Sequence, residues 1–232
     1  MILSVCIPAF QAERYIREAL ESVLAQVPDD AEIIVVDDGS MDGTFAMAAS
    51  CGNRIRVLRQ PHRGIGATFN AAVSASSGEL IATIDADDLW LPGKTDAQLH
   101  ELHADPSLDA VLGYARGFLS PDLPAEASTR LACRSSPVPG FLRGTMIFRR
   151  SAWHRVGPLD TDLTVGEFVA WYARAVAAGL RTKVLRQVVL ARRIHGANTV
   201  LRERDARADY LKIVTAVLHR RRAATVPDSP SP

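Results

Sequence analysis

Three carboxylates follow a short apolar run near the middle of the chain. Residues 81–84 are apolar or β-branched, and Asp85, Asp87 and Asp88 come directly after them. Such a run is typical of a buried strand in a parallel sheet, and open α/β sheets bind ligands at the carboxyl ends of their strands. Carboxylates this close repel one another and raise at least one pKa unless a cation neutralises them. The pattern predicts a site for Mg²⁺ or Mn²⁺ shared with phosphate oxygens. An acidic turn that caps the next helix is the alternative.

The side chains of this acidic segment are expected to point in two directions. Because side chains alternate along a strand, Asp85 and Asp87 are predicted on one face and Asp88 on the other.

A second acidic pair, Asp37 and Asp38, ends an earlier apolar run at residues 32–36. Such a pair can accept hydrogen bonds from a base or a ribose, and Gly39 beside it allows close approach of a ligand to the backbone. The alternative is a turn that caps the following helix. A third strand is predicted earlier, at residues 3–7, and residues 8–10 follow it. The ends of these three strands should meet at one edge of a sheet.

The elements around these strand ends alternate between strand and helix patterns. This order predicts an α/β fold with a doubly wound, mostly parallel sheet and right-handed crossovers. In the first half, strands are predicted at 3–7, 32–36, 55–58 and 81–84, and helices at 13–26, 42–50 and 67–75. In the second half, helices are predicted from 94 to 103, 151–156 and 167–178, and strands at 110–114, 144–148 and 184–194. Residues 118–142, rich in proline, are predicted to form a long irregular loop.

The chain is predicted to form one domain over residues 1–222, with a nucleotide-binding half at 1–95 and an acceptor and catalytic half at 96–200. An apolar stripe in residues 206–222 predicts a C-terminal helix, assigned to 201–222 and docked on the domain or on a second subunit as a homo-oligomer contact. Residues 223–232 are predicted to be disordered.

Composition limits the classes of protein that the chain can represent. Its 232 residues are 47% hydrophobic with a formal net charge of +1, which gives no global attraction to nucleic acid. Cys6, Cys51 and Cys133 are scattered without disulfide or metal-ligand spacing, as in reduced cytoplasmic proteins. No apolar run approaches the roughly 20 residues of a membrane span. A cytoplasmic protein without a transmembrane segment is therefore expected.

Four segments resemble the family-2 glycosyltransferases, which are nucleotide-sugar-dependent enzymes with the GT-A fold. The segments are Ser4-Val-Cys-Ile-Pro-Ala-Phe10, residues 19–26, residues 32–40 with 42–44, and Asp85-Ala-Asp-Asp88. They occur in the order and spacing of the family and cover about the first 95 residues. An isolated Asp-x-Asp would be far less specific than the four together.

The resemblance assigns the nucleotide pocket to the three strand ends. Its implied nucleotide contacts are Pro8, Ala9, Phe10, Asp38, Asp85, Ala86 and Asp87. Asp38 would bond the base, commonly uracil in this family, and Asp85 or Asp87 would lie near the ribose. Asp87 or Asp88 would ligate the metal, which bridges the donor diphosphate and takes up negative charge as that leaving group departs.

The segment from Arg63 to Asn70 resembles a family segment in which glycines precede an Ala-Arg-Asn-like triplet. Asn70 matches the triplet, whereas Phe69 stands where the arginine is common. A phosphate contact from position 69 is therefore not available. Arg63, or the backbone amides from Gly64 onward at a helix start, could supply it.

The segment that should supply the catalytic base departs from the family pattern. In relatives an acidic pair supplies it, and here Glu167 is followed by Phe168, with Ala170 at a further position where some relatives carry aspartate. Glu167 is thus the candidate general base that takes a proton from the acceptor hydroxyl. A carboxylate that answers the helix dipole is the alternative.

A late basic segment resembles the Arg-x-His segment of the family. It implies that Arg192, Arg193 and His195 bind the diphosphate and that His195 can also ligate the metal, with Asn198 nearby. A structural histidine at the end of a strand is the alternative.

Together the patterns and the resemblance imply a metal-dependent glycosyltransferase, inverting by that resemblance, that uses a nucleotide-sugar donor, most simply a UDP-sugar, and an unknown acceptor. Acceptor contacts are expected on residues 118–142 and near Trp171. The rival hypothesis is a degenerate nucleotide-binding or scaffold protein that has lost its base. A nucleotidyltransferase would need a glycine-rich triphosphate loop after the first strand, and residues 10–13 offer none.

Overall fold

The computed structural model describes residues 1–124, 133 and 135–196. The predicted C-terminal helix, the tail and Asn198 lie outside these residues. The described residues form one nine-stranded sheet in the order β3-β2-β1-β4-β8-β6-β9-β5, with β7 paired to β6. Its strands are β1 Leu3–Ala9, β2 Glu32–Asp37, β3 Ile55–Arg59, β4 Leu80–Thr83, β5 Leu89–Trp90, β6 Ala110–Leu119, β7 Val138–Pro139, β8 Ile147–Arg149 and β9 Thr182–Ile194. The helices are α1 Ile16–Leu24, α2 Thr44–Ser50, α3 Ile65–Ala75, α4 Lys94–Ala104, α5 Arg150–Val156 and α6 Glu167–Ala177, with a 3₁₀ turn at Arg143–Thr145.

The first half of the chain forms the parallel part of the sheet. β1 pairs in parallel with both β2 and β4, and β2 pairs in parallel with β3. Every residue of β1 is buried, as expected for a strand covered by helices on both faces. Val5 and Ile7 pack with α1 in one apolar core, whereas Cys6 packs with α3 in the other. The predicted doubly wound α/β class is confirmed.

The second half is mixed. β8 runs antiparallel to both β4 and β6, while β9 is parallel to β6 and antiparallel to β5. β6 continues to Leu119, so the predicted loop begins later than residue 118, and β7 interrupts it. The two-residue strands β5 and β7 were not predicted, because a pair of residues carries no periodic signal.

The second apolar core is largely aromatic. Phe168 and Trp171 stack with ring centroids 6.1 Å apart, and Trp171 also stacks on Trp153 at 5.8 Å. The Trp171 indole N–H donates to the Gly157 carbonyl at 2.8 Å. Trp171 is therefore a buried core residue, and the expectation of acceptor contacts near it stays a prediction.

None of the helices within the described ranges has both the length and the apolar character needed to cross a membrane.

Candidate functional site

A cleft with a volume of about 730 Å³ opens at the carboxyl ends of β1, β2 and β4. Most of the predicted site residues line it, namely Pro8, Ala9, Phe10, Asp38, Arg63, Gly64, Asp85, Ala86, Asp87, Asp88, Glu167, Arg192 and His195. Residues 161 and 163–166, before α6, line it from another side. Asn70 and Arg193 are not among the lining residues. The fold thus gathers residues that are up to 187 positions apart, from Pro8 to His195, and their individual roles stay predictions.

The acidic segment leaves the strand before its carboxylates begin. β4 ends at Thr83, and the Asp88 amide donates to the Asp85 carbonyl at 3.1 Å, which makes a turn. The alternation predicted for an extended strand is therefore wrong. Asp88 is buried and accepts a hydrogen bond from the Arg193 amide at 2.9 Å. Burial first, and then repulsion from Asp87 and Asp85, raises the pKa of Asp88 well above its ordinary value.

Asp87 faces the end of the last described strand. Its Oδ2 lies 2.9 Å from Nε2 of His195, and the His195 ring lies 4.7 Å from the Tyr15 ring. Asp87 and His195 both line the cleft, as does Arg192. The predicted metal and diphosphate ligands are therefore neighbours in space, although 108 residues separate Asp87 from His195.

Arg193 holds the acidic turn from behind. Its Nε donates to the Asp87 carbonyl at 2.9 Å, and its Nη2 binds Glu18 of α1 at 2.7 Å. The guanidinium lies 4.9 Å from the Tyr15 ring and 4.8 Å from the Phe118 ring. Its side chain is only 2% exposed, so this arginine stabilises the turn. The predicted direct diphosphate contact from Arg193 is not supported by this placement.

Asp38 is buried beneath the cleft surface with both carboxylate oxygens in use. Oδ1 accepts from Gln60 Nε2 at 2.7 Å and from the Arg63 amide at 2.9 Å. Oδ2 accepts from the Gly64 amide at 2.9 Å and lies 2.8 Å from His62 Nδ1. A carboxylate has about four acceptor positions, so this set uses all of them. Asp38 organises the segment from residue 60 to 64, a role that the sequence did not reveal.

Neither acidic residue of the 37–38 pair caps α2. The Thr44 amide donates instead to Asp42 Oδ1 at 3.1 Å. Asp37 accepts from the Ser40 amide at 3.1 Å and pairs with Arg59 at 3.2 Å. The helix-capping alternative is therefore wrong for both residues.

An aromatic pair lies beside Asp38 at the cleft. The Phe10 and His62 rings stack with centroids 4.1 Å apart and an interplanar angle of 23°. Phe10 is 44% exposed, which is high for a phenylalanine that also lines a cleft. A flat exposed aromatic surface of this kind suits stacking with a planar ring. His62 was not predicted, and nothing in its local sequence indicated its contact with Phe10.

Asn70 has a structural contact instead of a place in the cleft. Its Nδ2 donates to the Leu159 carbonyl at 3.0 Å, and its Oδ1 accepts from the Leu159 amide at 2.9 Å. These two bonds fasten α3 to the segment before α6. The predicted nucleotide contact from Asn70 is therefore not supported.

Glu167 lies in the first turn of α6, next to the left-handed Gly166 (φ 79°) that begins the helix. Its Oε1 accepts from Arg143 Nη1 at 2.8 Å, and the Nη2 of the same arginine binds Asp85 Oδ1. The guanidinium lies 5.5 Å from the centre of the Phe69 ring. Burial alone would lower the pKa of Arg143, but attraction to Asp85 and Glu167 raises it above its ordinary value.

Arg143 is another residue of the cleft that the sequence analysis missed. Its 6% side-chain exposure places a charge almost wholly inside the protein. The available signal was a single basic residue at the start of a mainly apolar segment, residues 141–148. That signal is weak, because surface turns commonly carry such residues.

The donors at the acidic turn suit a metal that is shared with a ligand. Across the ranges that the structure describes, no three His, Cys, Asp or Glu side chains converge as they do in an all-protein metal cage. Asp87 and Asp88, with His195 beside them, offer hard and borderline donors on one side of the cleft. This donor set fits Mg²⁺ or Mn²⁺, because Mg²⁺ is usually held by one or two carboxylates plus phosphate oxygens and water.

Comparisons with known proteins agree with the fold. The family model described as glycosyl transferase family 2 matches residues 4–159. An uncharacterized glycosyltransferase of Nostoc sp. is 40% identical over 98 residues, which are 40% of this chain and 30% of that protein. The chondroitin synthase of Pasteurella multocida is 26% identical over 238 residues, which cover 96% of this chain and 24% of the synthase.

Solved structures show the same fold at low identity. Residues 1–349 of S. aureus TarS in complex with UDP superpose with a TM-score of 0.72 at 20% identity, covering 94% of this chain and 65% of that fragment. The mannosyltransferase PcManGT of Pyrobaculum calidifontis, in complex with GDP-Man and Mn²⁺, gives a TM-score of 0.70 at 21% identity, covering 99% and 65% of the two chains.

The chain spans about a third or less of the length of the curated relatives that it matches. The family match itself extends over more than half of this chain, from β1 to Leu159, the residue that Asn70 binds. The chain belongs to glycosyl transferase family 2 and has its GT-A fold.

Proposed function

We propose that the protein is a metal-dependent, inverting glycosyltransferase that moves a sugar from a nucleotide-sugar donor to an acceptor hydroxyl. The observation that carries this proposal is the cleft, which strand-end carboxylates, an exposed aromatic ring and Glu167 line together. Family membership supports it. TarS was solved with UDP and with UDP-GlcNAc, and PcManGT with GDP-Man and Mn²⁺, which supports a nucleotide-sugar donor here.

The donor nucleotide would occupy the side of the cleft formed by β1 and β2. Its base would stack against Phe10 or His62, whose paired rings form a flat surface. Asp38 would act on the base chiefly by fixing the segment that carries His62, since its own oxygens already accept four hydrogen bonds. A UDP-sugar is the first donor to test.

The diphosphate would lie between the acidic turn and the end of β9. Asp87 and Asp88 would hold the divalent metal, with His195 as a further ligand. When bound, the metal supplies positive charge that stabilises the departing nucleoside diphosphate. Arg192 and Arg63 line the same cleft and would neutralise phosphate charge that the metal leaves.

Glu167 would act as the general base. Arg143 binds its Oε1, which leaves Oε2 for the acceptor hydroxyl. As the acceptor oxygen forms its bond to the anomeric carbon, its proton passes to Glu167. The bond between that carbon and the diphosphate oxygen breaks, and its electron pair leaves with the nucleoside diphosphate. Attack from the face opposite the leaving group inverts the anomeric centre.

The test is a screen of UDP- and GDP-sugars by thermal shift with and without Mn²⁺, followed by a transfer and hydrolysis assay on every donor that binds. We expect at least one donor to raise the melting temperature more with Mn²⁺ than with a chelator, and that donor to turn over. Binding without transfer or hydrolysis would favour the nucleotide-binding scaffold instead. No binding of any nucleotide sugar would contradict both.

A further inference from the structure

We propose that Arg143 is a positioning residue for sugar transfer, and that it holds the base Glu167 in a fixed position relative to the donor-side residue Asp85. This inference rests on the proposed function and deepens it, because it adds a residue that neither the motifs nor the family resemblance assigned. Arg143 precedes β8, outside all four of the matching segments.

The geometry of the bridge is specific to a guanidinium. Nη1 donates to Glu167 and Nη2 donates to Asp85, so one planar group binds two carboxylates at once. The two acids come from different elements: Asp85 from the turn after β4, and Glu167 from the start of α6. A lysine ammonium has no such fork, because it is a compact point charge on a flexible stem.

The bridge also compensates the repulsion between the two carboxylates. Asp85 and Glu167 line the same cleft, and two carboxylates in a partly buried site repel each other. Arg143 offsets that repulsion and fixes Oε1 of Glu167, so that the other oxygen keeps one direction relative to the donor. A proton-transfer group has to lie within hydrogen-bond reach of its acceptor, and a small misplacement costs rate.

The 3₁₀ turn that carries Arg143 is held in place by a buried amide side chain. Gln98 on α4 donates from Nε2 to the Thr145 carbonyl and to the Val111 carbonyl, each at 2.8 Å. This joins the 3₁₀ turn that carries Arg143 to β6. The Phe69 ring beneath the guanidinium closes the remaining side. At position 69 the chain lacks the arginine that relatives commonly carry, and Arg143 brings a guanidinium to that ring from another element.

The experiment compares Arg143→Lys and Arg143→Gln with the wild type and with Arg150→Gln as a control. Arg150 is also partly buried and binds the Gly78 carbonyl at 2.6 Å, but it does not line the cleft. We expect kcat to fall by about 10²-fold in Arg143→Gln, the lower end of the value of a positioned base. Arg143→Lys should fold and still lose most of kcat. Donor Kd should change much less than kcat, and Arg150→Gln should keep kcat.

The double variant Arg143→Gln/Glu167→Gln separates positioning from a merely structural effect. If Arg143 acts through Glu167, the double variant should be no slower than Glu167→Gln alone, because residues that act as a unit are not additive. If the loss of kcat in the double variant equals the product of the losses in the two single variants, the inference is overturned.

Full activity in a folded Arg143→Lys would overturn this role while the proposed function stands. A wild type that binds donors and transfers none would overturn the proposed function and this role together.

Discussion

The two halves of the cleft are built in different ways. On the donor side, the four donors to Asp38 all come from residues 60–64, so a carboxylate at one strand end organises a nearby segment. Elsewhere in the cleft, Arg143 reaches Asp85 across 58 positions, and Asp87 meets His195 across 108. The parallel strands of the first half bring their ends together by topology alone, whereas the mixed second half depends on individual long-range contacts.

This difference predicts whether a substitution should affect nucleotide binding or the transfer step. A change at Asp38 should alter nucleotide binding, because its hydrogen bonds to residues 60–64 shape the donor side of the cleft. A change at Glu167 or Arg143 should alter the transfer step, because Glu167 is the proposed proton acceptor and Arg143 binds its carboxylate.

The largest expected effect is on transfer. Glu167→Gln removes the proton acceptor but keeps the shape of the side chain, so turnover should fall by about 10²–10⁴-fold. Donor Kd, measured by calorimetry, should stay close to that of the wild type. A Glu167→Gln protein that transfers like the wild type would place the base elsewhere. It would also contradict the division of the cleft into a side for nucleotide binding and a side for transfer.

The next effect is on metal-linked nucleotide binding. A nucleoside diphosphate should bind about 100-fold more tightly with Mn²⁺ than with a chelator, since a metal contributes several kcal/mol of charge stabilisation. Replacing Asp87 and Asp88 together with Asn should remove that difference. Calorimetry that finds equal affinity with and without metal in the wild type would refute the metal assignment.

A smaller effect is expected at Asp38. Asp38→Asn cannot accept all four hydrogen bonds, and each lost bond to a charged group is worth about 1.5–3 kcal/mol. Nucleotide affinity should fall by about tenfold or more, together with the melting temperature. Asp42→Asn is the matched control, because Asp42 accepts from the Thr44 amide at the start of α2 and does not line the cleft. If both variants lose only stability, Asp38 has no part in nucleotide binding.

The smallest effect concerns stability beneath the Arg143 turn. Lys94 is completely buried, lies 4.6 Å above the Trp90 ring and donates to Gln98 Oε1 at 2.5 Å. Burial lowers the pKa of Lys94 to about 7, against about 10.4 in an unfolded chain. Between these values the unfolded state binds more protons, so this residue makes the free energy of unfolding rise as pH rises.

Denaturant unfolding at pH 7 and pH 9.5 tests the role of Lys94. Lys94→Met should show a smaller rise in the free energy of unfolding between the two pH values than the wild type shows. Equal rises would mean that Lys94 stays charged in the folded protein.

The sequence by itself determined the first half of the fold and the place of its chemistry. Apolar runs, turn residues and strand-end carboxylates are local signals, and parallel topology places such strand ends at one edge. β2 and β3 were predicted to within a residue, and thirteen of the fifteen predicted site residues line the cleft.

Only the tertiary structure decided which partners those residues have. Asp38 was predicted as a free acceptor, but the segment that saturates it takes its path from the packing of β3 and α3. Asn70 and Arg193 matched family segments, yet Leu159 and Glu18 bind them outside the cleft. Arg143 carries no motif, and its function as a bridge exists only because β4, the 3₁₀ turn and α6 meet. Hydrogen bonds and ion pairs depend on distance in space, and distant segments approach each other only once the whole sheet has formed.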